Sequence, residues 1–182
     1  MNDSIERILF TEEEIDEATK KVASEINKDY KDATGTTVLL CILKGSLVFC
    51  SDLMRKLNFP TELEFMKVSS YGSGTTSSGQ LKVSLDINRE DVKDVNFIIV
   101  EDIIDTGITL SRLHKMLLER GAKSVKTAAL LNNPSRRRVD FEPDYVGLIM
   151  PNEFVVGYGL DYNENFRQLP YIGVLKPEIY KR

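Results

Sequence analysis

Two short runs of the sequence are entirely apolar, and they constrain the fold more than any other feature. Residues 38–43 (VLLCIL) and 97–100 (FIIV) carry no polar side chain, which is typical of strands buried on both faces of a sheet. Helices are predicted after both runs, from beyond Ser46 to about residue 57 and over residues 108–120. Buried strands that alternate with helices predict an α/β fold with a doubly wound, mainly parallel sheet.

The remaining elements extend this pattern in both directions. Thr11 and Glu14 form a capping box that begins a helix over residues 11–31. Residues 63–71 and 81–87 predict a hairpin, and later strands are predicted at residues 125–131, 145–150, 155–160 and 172–175. Residues 72–79 between the hairpin strands contain three glycines and no apolar residue, so the segment is either a floppy loop or a lid over a reacting site.

Composition excludes several classes of protein. The chain of 182 residues suffices for one domain, and its net charge of −4 does not favour nucleic-acid or membrane partners. No signal peptide or spanning segment is evident, and Cys41 and Cys50 lack metal-site spacing, so we expect reduced thiols in a cytoplasmic protein. His114, the only histidine, lies inside a predicted helix and is expected to be structural.

The segment 100–110 (VEDIIDTGITL) indicates the chemistry. Glu101, Asp102 and Asp105 follow the second apolar run, where carboxylates can bind the hydroxyls of a sugar. The Thr-Gly-Ile-Thr stretch opens a helix, whose N-terminus favours a phosphate. A solvated strand end with Asp105 as a helix cap is the alternative, although two adjacent acids repel each other and need a cation or donors nearby. The segment therefore predicts a ribose phosphate site.

These residues resemble the phosphoribosyl diphosphate signature of the type I phosphoribosyltransferases. Further segments, in order along nearly the whole chain, resemble the bacterial hypoxanthine-guanine members of that family: residues 43–46 (LKGS), 69–72 (SSYG), 134–137 (PSRR), 154–162 (FVVGYGLDY) and 171–177 (YIGVLKP). The resemblance implies a single domain over residues 1–182, with a lid at about 70–80 and a small hood from the N-terminal segment and about 151–182. It also implies a homodimer or homotetramer.

The implied reaction is purine salvage. The phosphoribosyl group of phosphoribosyl diphosphate would pass to hypoxanthine or guanine, giving IMP or GMP and pyrophosphate, with Mg²⁺ as cofactor. Asp105 would be the general base or acid, and a non-proline cis peptide often precedes the residue matching Lys44. Residues implied around phosphoribosyl diphosphate and pyrophosphate are Lys44, Gly45, Ser70, Tyr71, Glu101, Asp102, Asp105, Thr106, Gly107, Ile108, Thr109 and Arg167. Those implied around the base are Asn133, Phe154, Val155 and Asp161, and those around the metal are Glu101, Asp102 and Asp161.

Asn133 departs from the family pattern. The family usually has a lysine there, whose ammonium donates to O6 of the base, whereas asparagine is shorter and neutral and its amide can donate or accept. We therefore expect a weakened or altered preference for 6-oxopurines, which leaves adenine or xanthine open as substrates. A nucleotide-sensing RNA-binding regulator on the same fold is a further alternative, with only residues 136–138 (RRR), expected in an exposed loop or a subunit contact, as a basic patch.

Overall fold

The computed structural model describes residues 2–70 and 81–181, and a six-stranded sheet lies at its centre. In chain order the elements are β1 (Ile5–Phe10), α1 (Glu12–Asp29), β2 (Thr36–Ile42), α2 (Leu47–Met54), β3 (Glu62–Ser70), β4 (Leu81–Leu85), β5 (Val95–Ile104), α3 (Ile108–Glu119), β6 (Ser124–Asn132), β7 (Tyr145–Ile149), β8 (Val155–Val156), β9 (Ile172–Leu175) and α4 (Pro177–Tyr180). A 3₁₀ turn, Pro134–Arg136, lies between β6 and β7.

The order of strands in this sheet is β4-β3-β2-β5-β6-β7. β4 runs antiparallel to β3, and every other neighbouring pair is parallel. The predicted doubly wound, mainly parallel sheet is confirmed.

Alternation along the central strands explains why helices cover both faces. Leu39 and Cys41 of β2 pack in one cluster with buried residues of α1 and α2, whereas Leu40 and Ile42 pack with α3. Burial of each leucine or isoleucine side chain contributes about 1.5–3 kcal/mol. The apolar runs therefore supply two cores, one on each face.

A second, three-stranded antiparallel sheet has the order β1-β9-β8. Pairing of β1 with β9 joins residues near the two ends of the chain, such as Ile5 with Leu175. These two side chains and Val156 form a separate buried cluster. The sheet is built from segments that the resemblance assigned to a hood.

Some element boundaries differ from the sequence predictions. Helix α2 ends at Met54 rather than near residue 57, because the Asn27 side chain accepts from the N–H of Asn58 and donates to the carbonyl of Lys56. The strand predicted at 155–160 stops at Val156, after which the backbone turns through positive φ angles. Tyr71 and the segment 72–79 lie outside the described residues. Across residues 2–70 and 81–181, no helix has the length and apolar character to cross a membrane.

Candidate active site

Two cavities lie side by side at the carboxyl ends of β2, β5 and β6, the edge where parallel α/β sheets bind ligands. The first, here the loop cavity, has a volume of about 310 Å³ and reaches Thr106, Gly107 and Thr109. The second, here the aromatic cavity, has a volume of about 290 Å³ and reaches Asn133 and Phe154. Both are lined by Lys44, Gly45, Asp102, Ile103 and Asp105. One ligand can therefore contact both cavities.

Adjacent acids form the floor between the loop and the sheet. The sequence placed Glu101 and Asp102 after the strand, but β5 continues through them to Ile104, because it stays paired with β6. Burial, and next the neighbouring Asp102, raise the pKa of the Glu101 carboxyl well above its ordinary range. The Asp102 carboxylate accepts from the N–H of Ile103 at 2.7 Å. The acids are thus held on a rigid strand.

The turn after β2 fits closely against Asp102. The Leu43–Lys44 peptide is cis, as the family resemblance implied. A Cβ on Gly45 would overlap the Asp102 carboxylate, and one on Gly159 would overlap the carbonyl oxygen of Gly45. Only glycine permits this approach of three segments.

The loop that follows β5 turns into α3 at Gly107, which has a φ of +76°. The Thr106 hydroxyl accepts a long hydrogen bond of 3.4 Å from the N–H of Ile108. Within residues 2–70 and 81–181, the N–H groups of Thr106 and Gly107 donate to no other residue. Unpaired N–H groups at a helix N-terminus form a ready anion site.

Asp105 lines both cavities. Its Oδ2 lies 3.1 Å from Nη1 of Arg136, whereas its buried Oδ1 has no hydrogen-bond partner among the described residues. Leaving a buried carboxylate oxygen without a hydrogen bond costs free energy, and a ligand that donates a hydrogen bond to it would remove that cost.

Two cations share one carboxylate at the outer end of the site. Lys44 Nζ lies 2.9 Å, and Arg167 Nη2 3.3 Å, from Oε2 of Glu164. Arg167 Nη2 also lies 2.8 Å from Oδ1 of Asp161, whose Oδ2 accepts from the N–H of Glu164. These contacts, first that with Lys44, lower the pKa of Glu164.

Aromatic side chains form the far wall. The Phe154 ring stacks on Tyr180, with centroids 4.7 Å apart and planes at 18°, and meets the edge of Tyr162 at 5.7 Å. Phe154 is 39% exposed and lines the aromatic cavity together with Val155 of β8. Its remaining apolar surface suits a flat ring.

Asn133 directly follows β6 and is only 3% exposed. Its N–H donates to the carbonyl of Ile104 at 2.9 Å, and its Oδ1 accepts from the Ser135 hydroxyl at 2.6 Å. Its Nδ2 donates to no other residue in the described part of the chain. The residue thus lines the cavity with an amide donor that has no acceptor among residues 2–70 and 81–181.

Carboxylates that line the two cavities suit a magnesium ion. No three Asp, Glu, His or Cys side chains among residues 2–70 and 81–181 are arranged to enclose a metal. Magnesium usually takes one or two protein carboxylates and fills its other positions with water and substrate oxygens. Glu101 and Asp102 fit that pattern, and Asp161 lies at the edge of the aromatic cavity.

Residues 7–163 match the model of the phosphoribosyl transferase domain family. The chain belongs to this family. It is 48% identical over 180 residues to the hypoxanthine-guanine phosphoribosyltransferase of Streptococcus pneumoniae, covering 99% of this chain and 98% of that protein. It is 45% identical over 181 residues to the Bacillus subtilis enzyme of the same name, covering 100% and 99%.

Solved structures of family members agree with the fold. A crystal structure of a hypoxanthine phosphoribosyltransferase from Staphylococcus aureus superposes with a TM-score of 0.92 at 41% identity, covering 99% of this chain and 96% of that one. The predicted family and fold class are therefore confirmed.

The structure brings most of the residues that the resemblance implied to the two cavities of this phosphoribosyltransferase. Those that line one or both are Lys44, Gly45, Glu101, Asp102, Asp105, Thr106, Gly107, Thr109, Asn133, Phe154, Val155, Asp161 and Arg167. Ile108 begins α3 and lines neither, Ser70 ends β3, and Tyr71 lies outside the described residues.

Sequence reasoning missed four residues of the site. Arg136 pairs with Asp105 and lines the aromatic cavity. Glu164 binds the two cations, Tyr180 stacks on Phe154, and Arg137 contacts the loop after β5. Arg137 was expected in an exposed loop, but its side chain is only 10% exposed. No local pattern marks these residues, because each contact joins segments that only the fold brings together.

Proposed function

We propose that this protein transfers the phosphoribosyl group of phosphoribosyl diphosphate to N9 of hypoxanthine or guanine. The products would be IMP or GMP and pyrophosphate, a purine-salvage reaction. The observation that carries the proposal is the pair of adjoining cavities, one against a phosphate-binding loop and one against an aromatic wall, with Asp102 and Asp105 between them. Relatives that match nearly the whole chain carry the corresponding name.

In this proposal the loop cavity holds the ribose 5-phosphate unit. The 5′-phosphate is bound by the N–H groups of Thr106 and Gly107, the hydroxyls of Thr106 and Thr109, and the backbone of Ile108. Glu101 and Asp102 bind the ribose hydroxyls and the associated Mg²⁺. When bound, Mg²⁺ neutralises charge on the departing pyrophosphate.

The pyrophosphate group lies against the turn after β2. Lys44 and Arg167 supply positive charge, which favours departure of the anion as the C1′–O bond breaks. Lys44 and Arg167 must both release the Glu164 carboxylate before they can contact pyrophosphate. Ser70 and Tyr71 lead the predicted lid at 70–80, which would exclude water from the reacting carbon.

The purine occupies the aromatic cavity. Its ring stacks on Phe154, the Val155 backbone contacts its edge, and Asp161 lies nearby. Asp105 takes or gives a proton near N7, using the carboxylate oxygen that has no partner in the described residues. Asn133 meets the substituent at position 6.

The proposal retains several predictions from the sequence. These are a single domain with a hood, assembly as a homodimer or homotetramer, and a cytoplasmic location. The RNA-binding alternative loses part of its basis, because Arg137 is largely buried and engaged by Glu142 and cannot contribute to a surface patch.

Initial rates with phosphoribosyl diphosphate and Mg²⁺ test the function, with hypoxanthine, guanine, xanthine and adenine offered separately. Turnover of hypoxanthine and guanine is the expected result. Turnover of adenine alone would mean that Asn133 has changed base choice. Absence of turnover with all four bases would refute the proposal.

A further inference from the structure

One arginine in the basic run at 136–138 is turned into the protein. We propose that Arg137 is a positioning residue for the phosphate loop, defined here as residues 105–109. The inference deepens the proposed function, because it concerns how the 5′-phosphate site is held in shape. Arg137 lines neither of the two cavities, so it acts through the loop and not by touching the ligand.

The guanidinium joins the start of the loop to two neighbouring segments. Its Nη1 donates to the backbone carbonyl of Asp105 at 2.6 Å, and its Nη2 donates to Oδ1 of Asn132 at 2.6 Å. On its other edge, Nε and Nη2 donate to the Glu142 carboxylate at 3.2 and 3.3 Å. The planar fork can make these contacts simultaneously, which a lysine ammonium cannot match.

The aliphatic stem of Arg137 supports the middle of the same loop. A Cβ built on Gly107 would lie 3.0 Å from Cδ of Arg137 and 3.2 Å from the Val139 side chain. The neighbouring backbone adds a further contact, because the N–H of Arg138 donates to the carbonyl of Thr106 at 3.0 Å. The carbonyls of Asp105 and Thr106 are therefore bound, and Gly107 is closely approached, by residues that line neither cavity.

This support determines where the loop amides point. Two carbonyls of the loop are bound from behind, so the peptide planes of Asp105 and Thr106 cannot rotate freely. The N–H groups that follow those carbonyls belong to Thr106 and Gly107, the two that donate to no residue in the described part of the chain. Fixing a carbonyl fixes the N–H of the same peptide plane.

A simple electrostatic role is the competing explanation, since an arginine adds positive charge near a phosphate. Glu142 offsets much of that charge, because its carboxylate pairs with the guanidinium and its pKa is lowered by Arg137. Geometry and charge are separable by substitution. Arg137→Lys keeps the charge and loses the fork, whereas Arg137→Met loses both and keeps an apolar stem.

The test uses the full chain and compares ligands with and without the 5′-phosphate. Dissociation constants for IMP, ribose 5-phosphate and inosine are measured by calorimetry for the wild type, Arg137→Met and Arg137→Lys. We expect IMP and ribose 5-phosphate to bind about tenfold more weakly to both variants, while inosine binds as before. The exposed neighbour gives the matched control, and Arg138→Met is expected to stay within about twofold of wild type.

Three outcomes would overturn the inference. Wild-type phosphate affinity in Arg137→Lys would show that charge alone matters, and an equal loss for IMP and inosine would show a general structural role. Glu142→Gln leaves the contact between Arg137 and Asp105 in place and is expected to weaken IMP binding about two- to threefold. Unchanged IMP affinity in both Glu142→Gln and Arg137→Met would likewise refute the inference. If the wild type binds ribose 5-phosphate but turns over no purine, the proposed function fails. The inference about Arg137 is still tested in that case, by the affinities of the variants for IMP and ribose 5-phosphate.

Discussion

The hydroxyl of Ser135 lies 2.6 Å from Oδ1 of Asn133. That distance is ordinary for an O–H···O hydrogen bond and short for a bond from an amide N–H, so the oxygen of the Asn133 side chain faces Ser135. The Nδ2 group is then left toward the aromatic cavity. Asparagine could donate or accept at this position, and the contact with Ser135 selects donation.

A donor at this position favours a 6-oxopurine, but a neutral one favours it less than an ammonium. We expect Asn133→Lys to raise kcat/KM for hypoxanthine and guanine roughly ten- to a hundredfold, because a hydrogen bond from a charged group contributes about 1.5–3 kcal/mol. Steady-state rates with each base would measure it. Equal efficiency of the two proteins with all bases would contradict the prediction.

Removal of the Ser135 hydroxyl should loosen base selection without removing the amide. In Ser135→Ala the Asn133 side chain can rotate and present either atom, so the ratio of kcat/KM for hypoxanthine to that for adenine should fall about three- to tenfold. Asn133→Asp, which presents acceptors alone when ionised, should lower the ratio further. An unchanged ratio in Ser135→Ala would show that Ser135 does not orient the amide.

Glu164 competes with pyrophosphate for Lys44 and Arg167. We expect Glu164→Gln to tighten pyrophosphate binding about two- to fivefold, because both cations become available and the exposed ion pairs that they lose are weak. Inhibition by pyrophosphate measures the effect, with inosine affinity as the control. Weaker pyrophosphate binding would instead mean that Glu164 holds the two cations in place for the ligand.

Asp105 is expected to act on the base and not to hold the loop. The side chain of Asp105→Asn keeps its size but cannot take a proton, so kcat should fall about 10²- to 10⁴-fold. The KM for phosphoribosyl diphosphate should change little, since the loop binds through backbone amides that the substitution leaves intact. A large rise in that KM with unchanged kcat would assign Asp105 to binding.

Asp29 ties the end of α1 to the sheet, accepting from the Tyr145 hydroxyl at 2.8 Å and pairing with Lys126 at 3.0 Å. These contacts, the one with Tyr145 first, lower the pKa of Asp29 below its ordinary value of 3.8. The stabilisation is therefore present above that value and is lost as the pH falls through the lowered pKa.

We accordingly expect Asp29→Asn to reduce the free energy of unfolding by roughly 0.5 kcal/mol at neutral pH, a small figure because the pair is partly exposed. The difference from wild type should shrink below about pH 4. Urea unfolding across pH measures it, and Asp32→Asn, an exposed acid nearby, is the matched control. A difference that persists at pH 3 would mean that the carboxylate charge is not its source.

Local patterns predicted the elements whose formation depends on local sequence. The capping box of Thr11 and Glu14 forms as expected, and the apolar runs of β2 and β5 form the centre of the sheet. The end of β5 was misplaced because its last residues, Glu101–Ile104, are held by pairing with β6, which the chain reaches only after a helix. Strand β1 was not predicted for the same reason, since its partner β9 lies near the other end of the chain.

For the site too, residues with local contacts could be predicted, whereas residues whose contacts join distant segments could not. The acids and the Gly/Thr loop are adjacent in sequence, so their joint function could be inferred, and the family resemblance supplied Lys44, Phe154 and Arg167. Arg137 was expected to be exposed to solvent, because the residues next to it in sequence give no sign of its contacts with Asp105 and Glu142. The contact of Glu164 with Lys44 depends on a loop with several positive φ angles, a conformation that no sequence pattern specified.

The shared wall of the two cavities has a kinetic consequence. Each substrate of the proposed reaction would enter with its own set of contacts, the ribose phosphate unit against the phosphate loop and the purine against the aromatic wall. The nucleotide product is a single molecule that contacts the phosphate loop and the aromatic wall at once. Its departure requires both sets of contacts to break together, so we expect release of the nucleotide, rather than bond formation, to limit turnover.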